Sequence, residues 1–310
     1  MKSCPPANSC LKLLVISPWT KGGYVSSEVS DHTSVVQFIE KRFGVVERNI
    51  SPWRRAVTGD LTSMFNFSNP NDAHAHLPST NGDLPPTAEL AGGDVTTFVP
   101  TLNDVIVGVP AQEKGLRPAR ALPYELHVHA SVNASNSTVQ LTFLNTGKAT
   151  AVFQVRSASA ADAVRNYTVE PGKTLDGTWS VLSSYHLSVY GPNGFARYFN
   201  GSIGANAAAL DVRSGYEHHE SGSITLKIAN LAARAEVRIL DAYTGNLITR
   251  LLYPHEGLEH ELSLERFYGW YDLIVTVDHD QTFKCRLAGH VETGRDSFSD
   301  PALGGLILKG

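Results

Sequence analysis

Two stretches from residue 139 onward repeat each other. Val139-Gln-Leu-Thr-Phe-Leu-Asn145 echoes Ile224-Thr-Leu-Lys-Ile-Ala-Asn230, Tyr185-His-Leu-Ser-Val189 echoes Tyr271-Asp-Leu-Ile-Val275, and Phe195-Ala-Arg-Tyr-Phe199 echoes Phe283-Lys-Cys-Arg-Leu287. The order is kept and the offset stays near 85–88 residues, from 139 against 224 to 195 against 283. Apolar and polar residues alternate within each segment, the period of a half-buried strand. Strands are expected at Glu125–Ala130, Thr138–Leu144, Ala151–Val155, Tyr185–Tyr190 and Ala196–Phe199, and again at Ser223–Ile228, Ala235–Leu240, Tyr271–Val277 and Thr282–Leu287. A repeat of about 85–90 residues is long enough to close one sandwich. The fold class is therefore mostly β: two tandem antiparallel β-sandwich-like domains, over residues 123–212 and 213–310.

The first part of the chain follows another period. Residues 11–16, Leu-Lys-Leu-Leu-Val-Ile, predict a short buried strand ended by Ser17-Pro18. A glycine-containing loop follows, then a helix. Asp31, Thr33 and Ser34 are all suitable N-caps, Val35, Val36, Ile39 and Phe43 recur at helical spacing, and Gly44 suits the C-cap. A strand apolar on both faces belongs in a parallel sheet, and each parallel neighbour needs its own crossover. Nothing else here alternates strand with helix. Either this strand joins another sheet, or its native neighbours are missing. Residues 1–65 thus read as a remnant βα unit of an α/β domain, the least stable part of the chain. Residues 66–122 are rich in Pro and Gly without clear periodicity and read as a linker wrapping over its neighbours.

Charge bounds the function. Only 18% of the 310 residues are charged and the net charge is -4. That balance argues against nucleic acid as the main partner, because phosphate binding needs clustered Lys and Arg. No apolar run reaches the ~18 residues that span a bilayer, so no transmembrane segment is expected. Cys4, Cys10 and Cys285 are not a disulfide framework and have no zinc spacing. Residues 1–10 carry no export signal. The Thr, Asn and Ser content nevertheless resembles a secreted protein, so the chain is expected not to begin where its fold begins. Asn-x-Ser/Thr triplets stand at Asn49, Asn66, Asn133, Asn136, Asn166 and Asn200.

Candidate reactive groups are few. Asp31-His32-Thr33 opens the expected helix after a parallel strand, where ligands of open α/β sheets bind. A His beside an Asp can ligate a metal, and an N-cap Asp beside a surface His explains the same residues. His127-Val-His129 places two rings on one face of a strand, a zinc-compatible spacing without an evident third ligand. His74 and His76 lie in loop, and Glu217-His218-His219-Glu220 reads as a solvated turn. Trp19, Trp53, Trp179 and Trp270 are scattered, with core packing as the expectation. No G-x-S-x-G, H-E-x-x-H or P-loop occurs.

Three strings carry a resemblance: Val15-Ile-Ser-Pro-Trp-Thr-Lys-Gly-Gly-Tyr-Val25, Asp31-His-Thr-Ser-Val-Val-Gln-Phe-Ile-Glu-Lys-Arg-Phe-Gly44 and Asn49-Ile-Ser-Pro-Trp-Arg-Arg-Ala-Val-Thr-Gly-Asp-Leu-Thr62. They resemble the end of the catalytic domain of bacterial phosphatidylcholine-cleaving phospholipase C, a phosphoesterase family distantly similar to alkaline phosphatases. Arg117–Leu126 and Gly289–Gly304 resemble the entry to and end of its paired C-terminal β-domains. The resemblance implies hydrolysis of phosphatidylcholine or sphingomyelin to phosphocholine and diacylglycerol or ceramide, by a hydroxyl nucleophile beside a divalent metal in the full-length enzyme. It implies a phospholipid or membrane surface as partner and a secreted or periplasmic location for the family. Of the family's site, only the string from Asp31 and His32 is matched, and His32 is implied as a late metal-site or phosphate contact. The chain is expected to be the back third to half of a longer protein, from a broken or alternatively started reading frame. It is expected to be catalytically silent alone, with no cofactor of its own. The alternative is a non-catalytic β-sandwich module that binds a lipid surface or a protein partner.

Overall fold

A computed structural model describes residues 13–74, 79, 114–204, 206–216 and 222–306. Its β elements are β1 (Pro118–Ala119), β2 (Leu126–Asn133), β3 (Thr138–Asn145), β4 (Ala151–Ser157), β5 (Arg165–Val169), β6 (Lys173–Ser180), β7 (Ser184–Tyr190), β8 (Ala196–Ser202), β9 (Leu210–Gly215), β10 (Ser223–Asn230), β11 (Ala235–Asp241), β12 (Leu247–Leu252), β13 (Gly257–Ser263), β14 (Trp270–Val277), β15 (Lys284–His290) and β16 (Ser297–Phe298). Among the described residues, helix is confined to α1 (His32–Phe43), α2 (Pro52–Val57) and two single 3₁₀ turns.

The sequence echo becomes one architecture built twice. In the first sandwich the sheet β2-β3-β6 faces β8-β7-β4-β5; in the second, β9-β10-β13 faces β15-β14-β11-β12, and all of these neighbours run antiparallel. Alternation explains the cores. Val139, Leu141 and Phe143 of β3 are fully buried, as are Ile224, Leu226 and Ile228 of β10, while the residues between them are more exposed or face the other side. The expected boundary at 212/213 falls inside β9, which pairs with β10 and so opens the second sandwich.

The repeated residues have repeated tasks. Asn145 and Asn230 close the two echoing segments, and both are buried. Asn145 Nδ2 donates to the carbonyls of Ala149 and Val169. Asn230 Nδ2 donates to those of Ala233 and Leu252. Each amide thus fastens the turn after its own strand to the end of an edge strand, and satisfies one buried carbonyl there. Tyr185 and Tyr271 are likewise equivalent. A Cβ at Gly201 would stand 2.5 Å from the Tyr185 hydroxyl, and one at Gly289 would stand 2.9 Å from that of Tyr271. Glycine at both places makes room for a buried phenol.

The two sandwiches are joined into one body. β8 pairs antiparallel with β15, which fuses two four-stranded sheets into a single eight-stranded sheet. Tyr198 pairs with Arg286, Asn200 with Lys284 and Ala196 with Ala288. Tyr198 and Arg286 stand at equivalent places of the repeat, so the junction is close to a two-fold axis through that pair. Behind it lies Arg197, fully buried. Its Nη1 donates to the carbonyls of Ala196 and Ala288, and its Nη2 donates to Tyr271 and Tyr216 hydroxyls at 2.8 and 3.0 Å. A buried guanidinium requires such a cage of oxygens. Burial pushes the Tyr271 hydroxyl well above the usual phenol range, and the Arg197 charge works against that rise.

The N-terminal unit is held by polar clamps. Asp31 is the N-cap of α1, its carboxylate accepting from the Thr33 N–H, while the Ser34 hydroxyl accepts from the Asp31 N–H, a reciprocal capping box. Gly44 ends the helix at φ 69, the left-handed conformation that glycine adopts most readily. Arg55 of α2 grips the Glu40 carboxylate with both terminal nitrogens, at 2.7 and 2.9 Å. Those bonds, with the Glu47 N–H, pull the Glu40 carboxyl down to about 2. The expected strand over residues 11–16 is corrected: residues 13–16 are irregular, and Leu14 and Ile16 are largely exposed. Strand backbone needs a partner for its N–H and C=O groups, and among the described residues no strand runs beside this segment.

The unit rests on the sandwiches at few points. Val25 bridges Ala119 in parallel, and β1 pairs with β16, so the linker's end ties the N-terminal unit to the chain's last segment. The Tyr124 hydroxyl accepts from the Val29 N–H, Arg120 stacks over the Tyr24 ring at 3.8 Å, and Trp53 Nε1 donates to Thr168 Oγ1 of β5 at 3.0 Å. Trp179 is core, but Trp53 is half exposed and serves as a strut, a correction to the expected core packing.

Candidate functional site

The capping box decides what Asp31 does. Its Oδ1 accepts from the Thr33 N–H and hydroxyl, and its Oδ2 accepts from Arg54 Nη1 at 2.6 Å. These hydrogen bonds, with the Arg54 charge, hold its carboxyl below the usual carboxylate value although partial burial works the other way. His32 is the first residue of α1 and is exposed. The structure thus brings Asp31 together with Arg54, a partner the sequence reading did not name, and leaves His32 facing outward. Both oxygens of Asp31 are already engaged. Among the described residues no three His, Cys, Asp or Glu side chains are grouped to hold a metal ion. Among the described residues, Asp31 and His32 therefore stand without further metal-ligating side chains grouped around them.

The strand pair His127 and His129 also stays short of a metal site. Their ring centroids are 6.3 Å apart on one face of β2, as the period predicts. His127 is buried, with Nδ1 3.2 Å from the Ser214 carbonyl and Nε2 3.0 Å from Thr146 Oγ1. Both nitrogens are therefore occupied, one by β9 and the other by the turn that follows β3. His129 lies beside Arg213, and burial first, then that cation, pulls its imidazole down to about 4. His74 is exposed, and Cys4, Cys10, His76 and Glu217–Glu220 lie outside the described residues.

A larger concavity appears where the parts meet. A cleft of about 1160 Å³ opens at the end of the β8–β15 junction. Ser27 and Arg117 reach it from the N-terminal unit and the linker, and Tyr243, Trp270, Asp272 and Arg286 from the second sandwich. Its charges are paired within the wall: Arg286 Nε donates to Asp272 Oδ1 at 2.6 Å, and the Tyr243 hydroxyl donates to Asp300. Trp270 Nε1 donates to the Phe298 carbonyl. Beside it, the Glu292 carboxylate accepts from the Leu122 N–H and from Asn193 Nδ2 and faces His290 Nδ1 at 2.9 Å. One carboxylate thereby clamps the linker and both sandwiches. No local sequence signal announces this cleft, because its walls come from segments more than 250 residues apart. No helix among the described residues is long and apolar enough to cross a membrane.

Comparison with known proteins follows these divisions. Residues 118–202 and 210–290 each match the family described as bacterial phospholipase C, C-terminal domain. Residues 10–46 match the phosphoesterase family. A non-hemolytic phospholipase C of Burkholderia pseudomallei is 45% identical, over 94% of this chain and 42% of its own length. A non-hemolytic phospholipase C of Pseudomonas aeruginosa is 41% identical, over 94% of this chain and 43% of its own. A hemolytic phospholipase C of the same organism is 37% identical, over 94% and 44%. The chain spans less than half the length of these relatives.

Proposed function

The chain belongs to the bacterial phospholipase C, C-terminal domain family, and from that premise we propose that it supplies the paired β-domains of a phospholipase C together with one edge of its phosphoesterase unit. The observation that carries this reading is the coincidence of two family matches, 118–202 and 210–290, with two sandwiches fused through β8 and β15. The reaction served is hydrolysis of the phosphodiester of a choline phospholipid, phosphatidylcholine or sphingomyelin, to phosphocholine and diacylglycerol or ceramide. The fused sandwiches act as a rigid platform. Trp53, Val29 and Tyr24 seat the phosphoesterase edge on it through Thr168, Tyr124 and Arg120.

In a whole unit, His32 at the start of α1 would contact the metal or the phosphate, and a divalent ion would supply Lewis-acid charge there. The residues in this chain contribute the mount for that histidine: the capping box fixes the helix start, and Arg54 neutralises Asp31. By itself the chain is catalytically silent. The test is turnover of a chromogenic phosphocholine ester by the purified chain with divalent metal added. No turnover above the blank is expected; turnover abolished by His32→Ala overturns the reading.

A second reading, a module that binds a lipid surface, is favoured by one observation. Leu231, Leu251 and Tyr253 are each 41–56% exposed around the Asn230 clamp of the second sandwich. Co-sedimentation with phosphatidylcholine vesicles is expected to weaken in Leu251→Asp, and absence of binding by the unaltered chain removes this reading.

A further inference from the structure

The segment that follows β15 runs back along the linker. The Ser299 N–H donates to the Arg117 carbonyl, Pro118 stands opposite Phe298, Ala119 opposite Ser297, and Arg120 meets Asp296. Contacts continue beyond both ends of this stretch. The Gly115 N–H donates to the Gly304 carbonyl, and the Leu122 N–H donates to Glu292 Oε2. The other edge of β1 faces the N-terminal unit. The Val25 N–H donates to the Pro118 carbonyl and the Arg120 N–H to the Val25 carbonyl, both at 2.9 Å. The linker is thus held between Val25 and β16. β16 is in turn fixed to the second sandwich: Trp270 Nε1 donates to the Phe298 carbonyl and Ser297 Oγ to the Tyr268 carbonyl, both at 2.8 Å.

One ion pair joins these layers. Arg120 is buried, and its guanidinium lies over the Tyr24 ring at 3.8 Å. Its Nη1 donates to Asp296 Oδ2 at 2.8 Å, while Asp296 Oδ1 accepts from the Ala121 N–H at 3.1 Å. Removing one partner of a buried pair leaves an uncompensated charge, which is strongly destabilising. Arg120 and the segment that carries Asp296 therefore stay or leave together. With Arg120 go the Tyr24 stack and the Val25 bridge. Among the described residues, none between 292 and 306 belongs to the apolar core of the sandwiches.

We propose that residues 292–306 are a strap, with Asp296 as its catch, whose release frees the N-terminal unit while both sandwiches stay folded. The coupling between strap and unit runs through Arg120, and it is reciprocal: loosening either weakens the hold on the other. Val29, whose N–H donates to the Tyr124 hydroxyl, stands three residues before His32, so the strap sets where α1 begins relative to the platform. The bearing of that placement on chemistry rests on the family reading above; the strap itself does not. Ser297, Phe298 and Ser299 also wall the large cleft together with Val25 and Ser27, so release opens it.

The test is hydrogen exchange of the full chain, followed at the amides of Val25, Val29 and Arg120, with β3 and β10 as reference. In Asp296→Ala the three amides are expected to exchange about tenfold faster or more, the effect of losing one charge-assisted hydrogen bond. The rates of β3 and β10 are expected to stay as they are. Adding Arg120→Met to Asp296→Ala removes the buried cation and is expected to restore part of the protection. Glu236→Ala, which breaks the exposed pair to Arg238 on β11, is expected to change none of the three amides. Unchanged rates in Asp296→Ala overturn the proposal. Equal loss of protection at β3 and β10 also overturns it, because the segment is then part of the folded core. A double variant that exchanges faster than Asp296→Ala removes Asp296 as the catch. Turnover plays no part in this experiment, so its failure leaves the family reading standing, and turnover by the purified chain would sink that reading without touching the strap.

Discussion

Leu141 in the first sandwich and Leu226 in the second are completely buried, whereas Ile39 of α1 is 47% exposed. The same class of side chain is core in one region and surface in the other. Each sandwich closes on itself, because seven strands of alternating pattern give two inner faces that bury each other. The N-terminal unit has one helix layer over short turns, and its cohesion comes from charge-assisted bonds such as Arg55 to Glu40 and Lys41 to Asp60. An exposed ion pair such as Lys41 to Asp60 contributes at most about 1 kcal/mol. The lesson is that the β-platform is self-sufficient and the helical unit is held by its neighbours.

The largest expected effect tests that contrast directly. Leu141→Ala and Leu226→Ala should each cost about 2–5 kcal/mol in denaturant unfolding, from lost transfer energy plus a cavity. Ile39→Ala should cost less than about 0.5 kcal/mol, since its side chain is already half in water. A cost for Ile39→Ala as large as for Leu226→Ala would break the comparison.

The next effect compares the repeats with each other. Asn145→Ala and Asn230→Ala each strand one buried and one partly buried carbonyl, and each should cost about 1–3 kcal/mol. Similar losses are expected at the two positions in urea titrations. A loss at only one of them would show that the echo is not matched in energy.

Acid should separate the regions in steps. His129 is held down to about 4, so its contribution is present above the ordinary imidazole value of 6.5 and is lost as pH falls toward 4. Glu40 is held down to about 2, so its contribution is present above the ordinary 4.5 and is lost as pH falls toward 2. Between pH 6.5 and 4.5 the seam of β2 and β9 should therefore weaken first, and the N-terminal unit should follow only below 4.5. Fluorescence of Trp53 against near-ultraviolet dichroism of the buried Trp179 reads the two apart. Simultaneous loss would contradict the order.

How much of this was legible follows from where the information lies. Helix α1 was readable from the apolar period and Gly44, which are local signals, while its start was narrowed only to Asp31, Thr33 or Ser34. Strands with an apolar alternation, such as β3, β10 and β14, were readable for the same reason. β6 was not: Lys173-Thr-Leu-Asp exposes four residues in a row and only Trp179 and Gly177 turn inward. β12 and β13 are likewise mostly exposed or half-exposed, so their pairing, not their composition, makes them strands. The junction of β8 with β15 joins residues almost ninety positions apart, and no spacing within either strand announces it. The apolar run at 11–16 misled for the converse reason. It has strand composition without a strand neighbour among the described residues. At the site, Asp31 was readable as a cap, but its bond to Arg54 spans 23 positions and depends on α2 folding back.

Native-state hydrogen exchange measures the difference between the regions most directly, because local opening reports the stability of each element separately. Amides of α1 and α2 should exchange through openings far cheaper than global unfolding, while those of β3, β8, β10 and β15 should exchange only with it. Equal protection of α1 and β10 in the chain on its own would contradict the account, since a helix with a bare apolar side would then be as stable as a closed sandwich.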